Sequence, residues 1–72
     1  MYAEPKKIKD LKKGEFFCLK DPKDVEEMPE SRVWIKGDYD RSSRCYCCDK
    51  WDDVGYSAEY PGSKVVYTGF TF

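Results

Sequence analysis

The chain has 72 residues, of which 40% are hydrophobic, 17% aromatic and 38% charged, and 13 Lys and Arg nearly balance 14 Asp and Glu. This length provides one small domain (residues 1–72), whose core must come from a few large side chains. The net charge of -1 excludes the strong positive field of a committed duplex-DNA binder. No apolar stretch approaches the roughly 18 to 20 residues that cross a bilayer.

Charge is distributed unevenly along the first half of the chain. Residues 6–13, which we call the basic arm, contain five Lys and one Asp, whereas residues 21–30, the acidic loop, contain five acidic residues and one Lys. Such segments are either solvated faces that serve solubility or, for the basic arm, a local basic face. Residues 1–13 lack the apolar block and cleavage site of a secretory signal, so we expect a cytosolic chain that contacts no membrane.

The first predicted strand covers residues 15–20, a cluster with high β-propensity that ends at an Asp-Pro turn signal. Before it, residues 8–13 are too short for a helix that persists alone, and Gly14 ends the single turn that they can form. After it, residues 22–31 contain two prolines and are predicted to form a long loop.

The second predicted strand, residues 32–36, has the clearest pattern in the chain. Its side chains alternate with period two, which places Val33 and Ile35 on one face and Trp34 and Lys36 on the other.

The rest of the chain continues as short strands separated by turn formers. We expect a hairpin loop at 37–43, a strand at 44–48, a short strand at 56–60 and a last strand at 64–72. No segment can serve as a crossover helix. The sequence therefore predicts an all-β domain of about four or five strands, either a small SH3-like barrel or a rolled antiparallel sheet.

Three segments resemble a known family. They are DLKKGEFF (10–17), VWIKGDYDRS (33–42) and VYTGFTF (66–72), and they resemble short uncharacterised proteins of gut bacteria and their phages or mobile elements. The resemblance covers most of the chain and implies an origin in such elements, but it implies no activity. The DLKKG opening is also similar to the entry of SH3-like barrels.

Four cysteines, Cys18, Cys45, Cys47 and Cys48, are candidates for disulfides or a metal site. Adjacent cysteines form a strained ring, and residues two apart on a strand lie roughly 6.5 to 7 Å apart at Cα, at the limit of disulfide geometry. Zinc sites use paired knuckles, which this irregular spacing does not provide. We expect reduced thiols, no bound metal and no cofactor.

The residues offer little for catalysis. The chain has no histidine, and a domain of this size has scarcely the interior to desolvate an activated nucleophile. The spacing of Asp49, Asp52 and Asp53 matches no EF-hand. We therefore expect a binding module and not an enzyme.

The most suggestive group of residues combines aromatic and basic side chains. If Val33 and Ile35 face the core, Cys45 and Cys47 join them more readily than Arg44 would. The exposed face then carries Trp34, Lys36, Arg44 and Tyr46, with Tyr39 and Arg41 at the hairpin tip. Binders of single-stranded nucleic acid use such surfaces, with rings for bases and cations for phosphates. Alternatively, Trp34 and Tyr46 only stabilise the hairpin, or they face a second core across a strongly bent sheet.

Two partner classes therefore remain open. The first is single-stranded nucleic acid, bound by the aromatic and basic face. The second is a host protein, as for a phage-encoded inhibitor, with Trp34 as an anchor residue and the acidic loop as a steering surface.

Overall fold

The computed structural model describes residues 1–70, except for the side chain of Val54. Within these residues the chain forms six antiparallel strands and no α-helix. The strands are β1 (Glu4–Lys7), β2 (Phe16–Phe17), β3 (Trp34–Asp40), β4 (Cys45–Lys50), β5 (Asp53–Pro61) and β6 (Val65–Thr68). The prediction of an all-β, antiparallel fold is confirmed.

The strands form two sheets that do not close into a barrel. One sheet has the order β2-β3-β4-β5, and the other pairs β1 with β6. Cys18 and Tyr67 link them, because each residue donates its backbone N–H to the carbonyl of the other at 2.9 Å. A short segment after β2 thus attaches the two-stranded sheet to the four-stranded one.

The segments between the strands contain three short 3-10 turns, at Ile8–Asp10, Pro22–Asp24 and Glu30–Arg32. The first lies within the single turn predicted for residues 8–13. The prediction of a short turn is confirmed, but the turn ends at Asp10 and not at Gly14. Gly14 lies in a separate turn, in which the Glu15 backbone N–H donates to the Lys12 carbonyl at 3.0 Å, and it has φ of +88°, a left-handed conformation that glycine adopts without a steric penalty.

Several strands differ from the prediction: β2 is shorter and β5 longer than expected, and β1 and β3 differ more. β1 was not predicted, because Glu4–Lys7 is polar and exposed throughout and shows no apolar alternation. β3 runs on to Asp40 through residues predicted to form a loop, and its pairing with β4 shifts register between Lys36 and Tyr39. At Gly37 any side chain would collide with the Cys47 carbonyl oxygen, so glycine permits the close approach of the two strands.

The last strand is shorter than predicted. β6 ends at Thr68, and Gly69 follows with φ of +85°. The end of the predicted strand, residues 71 and 72, lies outside the described residues.

Two clusters of buried side chains form the core, one on each face of β3. The main cluster lies between the sheets and contains Ile8, Leu11, Phe17, Trp34, Cys48 and Val66. The second contains Cys18, Met28 and Val33. Val33 and Trp34 are consecutive and point to opposite faces, so both faces are buried where β3 begins.

In the part of the chain that the structure describes, no helix is long and apolar enough to span a membrane.

Candidate functional site

Trp34 does not face solvent as the sequence predicted. Its side chain is 7% exposed and belongs to the main cluster. Its ring meets Tyr60 edge-on at 5.6 Å between centroids and Tyr56 at 5.7 Å. The prediction of an exposed Trp34 is wrong because the two-stranded sheet covers this end of β3, and a small domain gains most by burying its largest ring.

Lys36, also predicted to be exposed, is 5% exposed. Its ammonium group donates a hydrogen bond to the Leu11 carbonyl and lies 4.3 Å from the centroid of the Tyr46 ring. A buried cation needs such partners, since desolvation without them is costly. Lys36 therefore fixes the basic arm to the sheet and does not present its charge to a ligand from solution.

The predicted orientation of β4 is also wrong. Lys36 pairs with Cys48, which places Cys48 on the core-facing side, where it is fully buried. Cys45 and Cys47, predicted to be core residues, point to the opposite face and are half-buried. The predicted arrangement inverted the two faces of β4 because the sequence does not give the register between strands.

The two buried thiols, Cys18 and Cys48, favour the neutral form. Burial raises the pKa of Cys48 and of Cys18 above the ordinary thiol value of 9.0. All four cysteines are free thiols. Among residues 1–70, no group of three or more cysteine or carboxylate side chains is arranged to hold a metal ion.

Tyr39, Tyr46 and Tyr60 stand opposite one another on three adjacent strands, and we call them the tyrosine row. The register pairs Tyr39 with Tyr46 and Tyr46 with Tyr60. The Tyr39 and Tyr46 rings are 4.9 Å apart at their centroids, with planes inclined by 59°. Tyr39 is 49% exposed, whereas the other two rings are half-buried. The row therefore runs from an open ring on β3 to a partly covered ring on β5.

Basic side chains surround this row. Arg41 and Arg44 are exposed in the loop between β3 and β4. The Lys64 ammonium lies 5.7 Å from the centroid of the Tyr60 ring. Lys9 approaches from the basic arm, because a side-chain carbon at Gly62 would lie 3.2 Å from both the Lys9 Cβ and the Tyr46 ring. Lys9 and Lys64 therefore border the row, and Arg41 and Arg44 lie in the loop that follows Tyr39 and precedes Tyr46.

Two carboxylates, Asp38 and Asp40, flank Tyr39 in sequence. Asp40 pairs with Cys45 and alternates with Tyr39, so its side chain points away from the Tyr39 ring. Asp38 forms an exposed ion pair with Lys13 at 2.7 Å. Asp40 accepts a hydrogen bond from the Ser42 backbone N–H at 2.9 Å, which supports the turn. The alternation of the strand thus separates the Asp40 carboxylate from the Tyr39 ring.

Of the six predicted site residues, the structure keeps Tyr39, Arg41, Arg44 and Tyr46 at the surface or near it and buries the other two. Sequence reasoning missed Tyr60, Lys64 and Lys9 as neighbours of this surface. Tyr60 and Lys64 flank the Pro-Gly turn, which was a visible signal, but only the register aligns Tyr60 with Tyr46.

A cavity of about 230 Å³ lies on another side of the molecule, beside the acidic loop. It is lined by Cys18, Leu19, Lys20, Pro22, Met28, Ser31, Arg32 and Trp34. Trp34 thus contributes to the wall of this cavity although nearly all of its surface is buried.

Comparison of the chain with protein-family models, with curated proteins and with solved structures finds no match. The geometry of the surface therefore supplies the argument about function.

Proposed function

We propose that the protein is a non-enzymatic binding module of a bacterial or phage mobile element that binds single-stranded nucleic acid in the cytoplasm. The observation that carries the proposal is the tyrosine row, in which an exposed ring is aligned with two further rings and bordered by cations. Every base has an aromatic face, so such a row accepts bases regardless of sequence. Each stacked base contributes about 1 to 3 kcal/mol.

The dimensions of the row suit a short contact. Neighbouring strands are about 4.8 Å apart, so the three rings extend over about 10 Å. Sheets that bind RNA through aromatic side chains stack about two or three bases in this way. We therefore expect a footprint of a few nucleotides on one molecule.

The net charge of -1 does not oppose this proposal. The acidic loop collects much of the negative charge in exposed side chains that the structure keeps out of the row. Affinity will depend on salt through the local cations, with a slope of about -0.7 for each phosphate contacted. A weak, salt-dependent interaction is the expected behaviour.

The test is a fluorescence anisotropy titration of labelled single-stranded oligonucleotides at several salt concentrations. Tyr39→Ala should weaken binding by about 5-fold to 150-fold, the equivalent of one lost stacking contact. Tyr2→Ala is the matched control, because it removes another exposed tyrosine, 83% exposed, that lies outside the row. Both variants must first show the wild-type melting temperature.

The proposal fails if the folded wild-type protein has no measurable affinity for single strands at low salt. It also fails if Tyr2→Ala weakens binding as much as Tyr39→Ala does, because stacking on the row would then contribute nothing specific.

A protein partner is the second candidate, and the cavity beside the acidic loop favours it. Apolar side chains line much of this cavity, together with the cations Lys20 and Arg32, so it suits an apolar anchor residue of a partner. Trp34 would contact such an anchor from the cavity wall. If the wild-type protein binds no single strands, affinity capture of a protein partner becomes the next experiment.

A further inference from the structure

The basic arm forms a positively charged hollow that the tyrosine row does not include. Lys6, Lys7 and Lys9 line it together with Pro5, Asp10 and Val65, and its volume is about 530 Å³. All three lysines are exposed. Within residues 1–70 the only ion pair joins Lys13 to Asp38, so these three ammonium groups are not neutralised by a neighbouring carboxylate at bonding distance.

The fold holds this segment in a defined position. Lys6 and Lys7 belong to β1 and pair with Val66 and Val65 of β6. Beyond β1, the backbone N–H of Ile8 donates to the Lys64 carbonyl at 3.0 Å, and Ile8 itself is fully buried. Lys6 and Lys7 therefore project from opposite faces of an ordered ribbon, and not from a loose tail.

The hollow borders the tyrosine row. The Lys9 backbone N–H donates to the Gly62 carbonyl at 3.2 Å, and Gly62 lies against the Tyr46 ring. Gly62 and Lys9 therefore connect the tyrosine row with the hollow.

We propose that the hollow is the phosphate-binding part of the nucleic-acid site, in which Lys6, Lys7 and Lys9 bind phosphates of a strand whose bases stack on the tyrosine row. This inference rests on the proposed function. Lysine ammonium groups act as point charges on phosphate and impose no bidentate geometry, so the hollow binds the phosphodiester backbone without selecting sequence.

The test compares two triple variants that each remove three positive charges. In K6Q/K7Q/K9Q the charges are lost from the hollow, and in the matched control K20Q/K23Q/R32Q they are lost from exposed positions near the acidic loop. Loss of three phosphate contacts reduces the slope of log affinity against log salt by about 2. The decrease in affinity between about 50 and 200 mM salt then becomes about 20-fold smaller than in the wild-type protein. The control should keep the wild-type slope.

Asp10 supplies a test of opposite sign. It is the one carboxylate that lines the hollow, so Asp10→Asn should strengthen binding of the oligonucleotide. Weaker binding by Asp10→Asn, in a variant with the wild-type melting temperature, would contradict an anion-binding hollow.

A base-free probe separates this inference from the proposed function. An oligomer of abasic phosphodiester units should bind the wild-type protein weakly. Its affinity should be lower for K6Q/K7Q/K9Q and unchanged for Tyr39→Ala. If ordinary single strands bind the wild-type protein but K6Q/K7Q/K9Q keeps its salt slope, the hollow is not the phosphate site while the proposed function stands. If the abasic oligomer binds through the hollow and Tyr39→Ala changes nothing with either probe, the hollow stands and stacking on the row is wrong. If neither probe binds, both are overturned.

Discussion

The same face of one sheet is core at one end and surface at the other. At the Trp34 end, Ile8, Leu11 and Val66 cover the face, and both the indole and the Lys36 ammonium are buried. At the Tyr39 end the cover stops, and a ring in an equivalent position on the same strand is 49% exposed. Strand alternation decides which side chains share a face, but the segment packed on that face decides which of them can meet a ligand.

The bulge in β3 connects these two ends. Residues 36 and 39 are three apart, so in a regular strand their side chains would point to opposite faces. The register shift between Lys36 and Tyr39 brings them to the same face, because Lys36 pairs with Cys48 and Tyr39 pairs with Tyr46 two residues away. Without the bulge the aromatic surface would end at Lys36.

The largest difference in stability between the two ends should appear when the aromatic ring at each end, Trp34 or Tyr39, is removed. Trp34→Ala should cost about 3 to 5 kcal/mol, as for large aromatic side chains in cores. A chain of this length has a total stability of about 4 to 10 kcal/mol, so this loss is about a third of the stability or more. Tyr39→Ala, in the open ring position, should cost less than about 1 kcal/mol. Urea denaturation followed by fluorescence measures both, and equal losses would mean that the two ends are equally buried in solution.

Removal of Lys36 and Lys64, two of the lysines whose ammonium groups lie over tyrosine rings, should give a smaller contrast. Lys36→Ala leaves the buried Leu11 carbonyl without its donor and should cost about 1 to 3 kcal/mol. Lys64→Ala removes a half-buried cation from the Tyr60 ring and should cost less than about 1 kcal/mol. A Lys36→Ala protein that is more stable than wild type would show that the desolvation of the ammonium group is larger in free energy than the stabilisation from its contacts.

The contrast explains what the sequence could and could not predict. Period-two alternation correctly separated Val33 from Trp34, and turn formers correctly marked the hairpin and Gly14. The alternation did not reveal that both faces are covered, because the cover on the Trp34 side comes from β1 and the basic arm, whose polar residues carry no strand signal. The tyrosine row depends on two strand registers and a bulge, and none of these can be inferred from local patterns.

Alkaline pH should lower the stability of the fold by ionising groups that are neutral in the folded protein. Burial raises the pKa values of Cys18, Cys48 and Tyr60 above their ordinary values, so the folded state favours their neutral forms. Their contribution to stability is complete below the ordinary thiol pKa of 9.0 and is lost as the pH rises through the folded-state pKa values. We expect the free energy of unfolding to fall above that pH.

Thiol variants provide the check on this pH dependence. Cys48→Ala should reduce the alkaline loss of stability, whereas Cys45→Ala, at a half-buried position on the other face, should leave it unchanged. A Cys48→Ala protein with the wild-type pH profile would assign the loss to Tyr60 and Cys18. Urea midpoints measured across the alkaline range in the presence of a reductant distinguish these outcomes.

The smallest expected effect concerns Arg44, at the open end, and it separates stability from binding. Arg44 has φ of +58°, the only positive φ at a non-glycine position among residues 1–70. The left-handed conformation costs an L-residue about 1 to 2 kcal/mol. Glycine avoids this cost, but its greater conformational freedom in the unfolded chain offsets part of the gain in stability. Arg44→Gly should therefore raise the free energy of unfolding by about 0.5 to 1 kcal/mol.

The same substitution removes a cation beside the tyrosine row, so it should lower the salt slope of single-strand binding by about 0.7. Arg41→Gly, with the same loss of charge but no positive φ to relieve, should lower the slope without raising stability. An Arg44→Gly protein that becomes more stable and binds as before would show that this arginine serves neither the turn nor the ligand. A protein that becomes more stable and binds less would show a strained position retained for its charge, because a residue that costs stability persists where its side chain has another use.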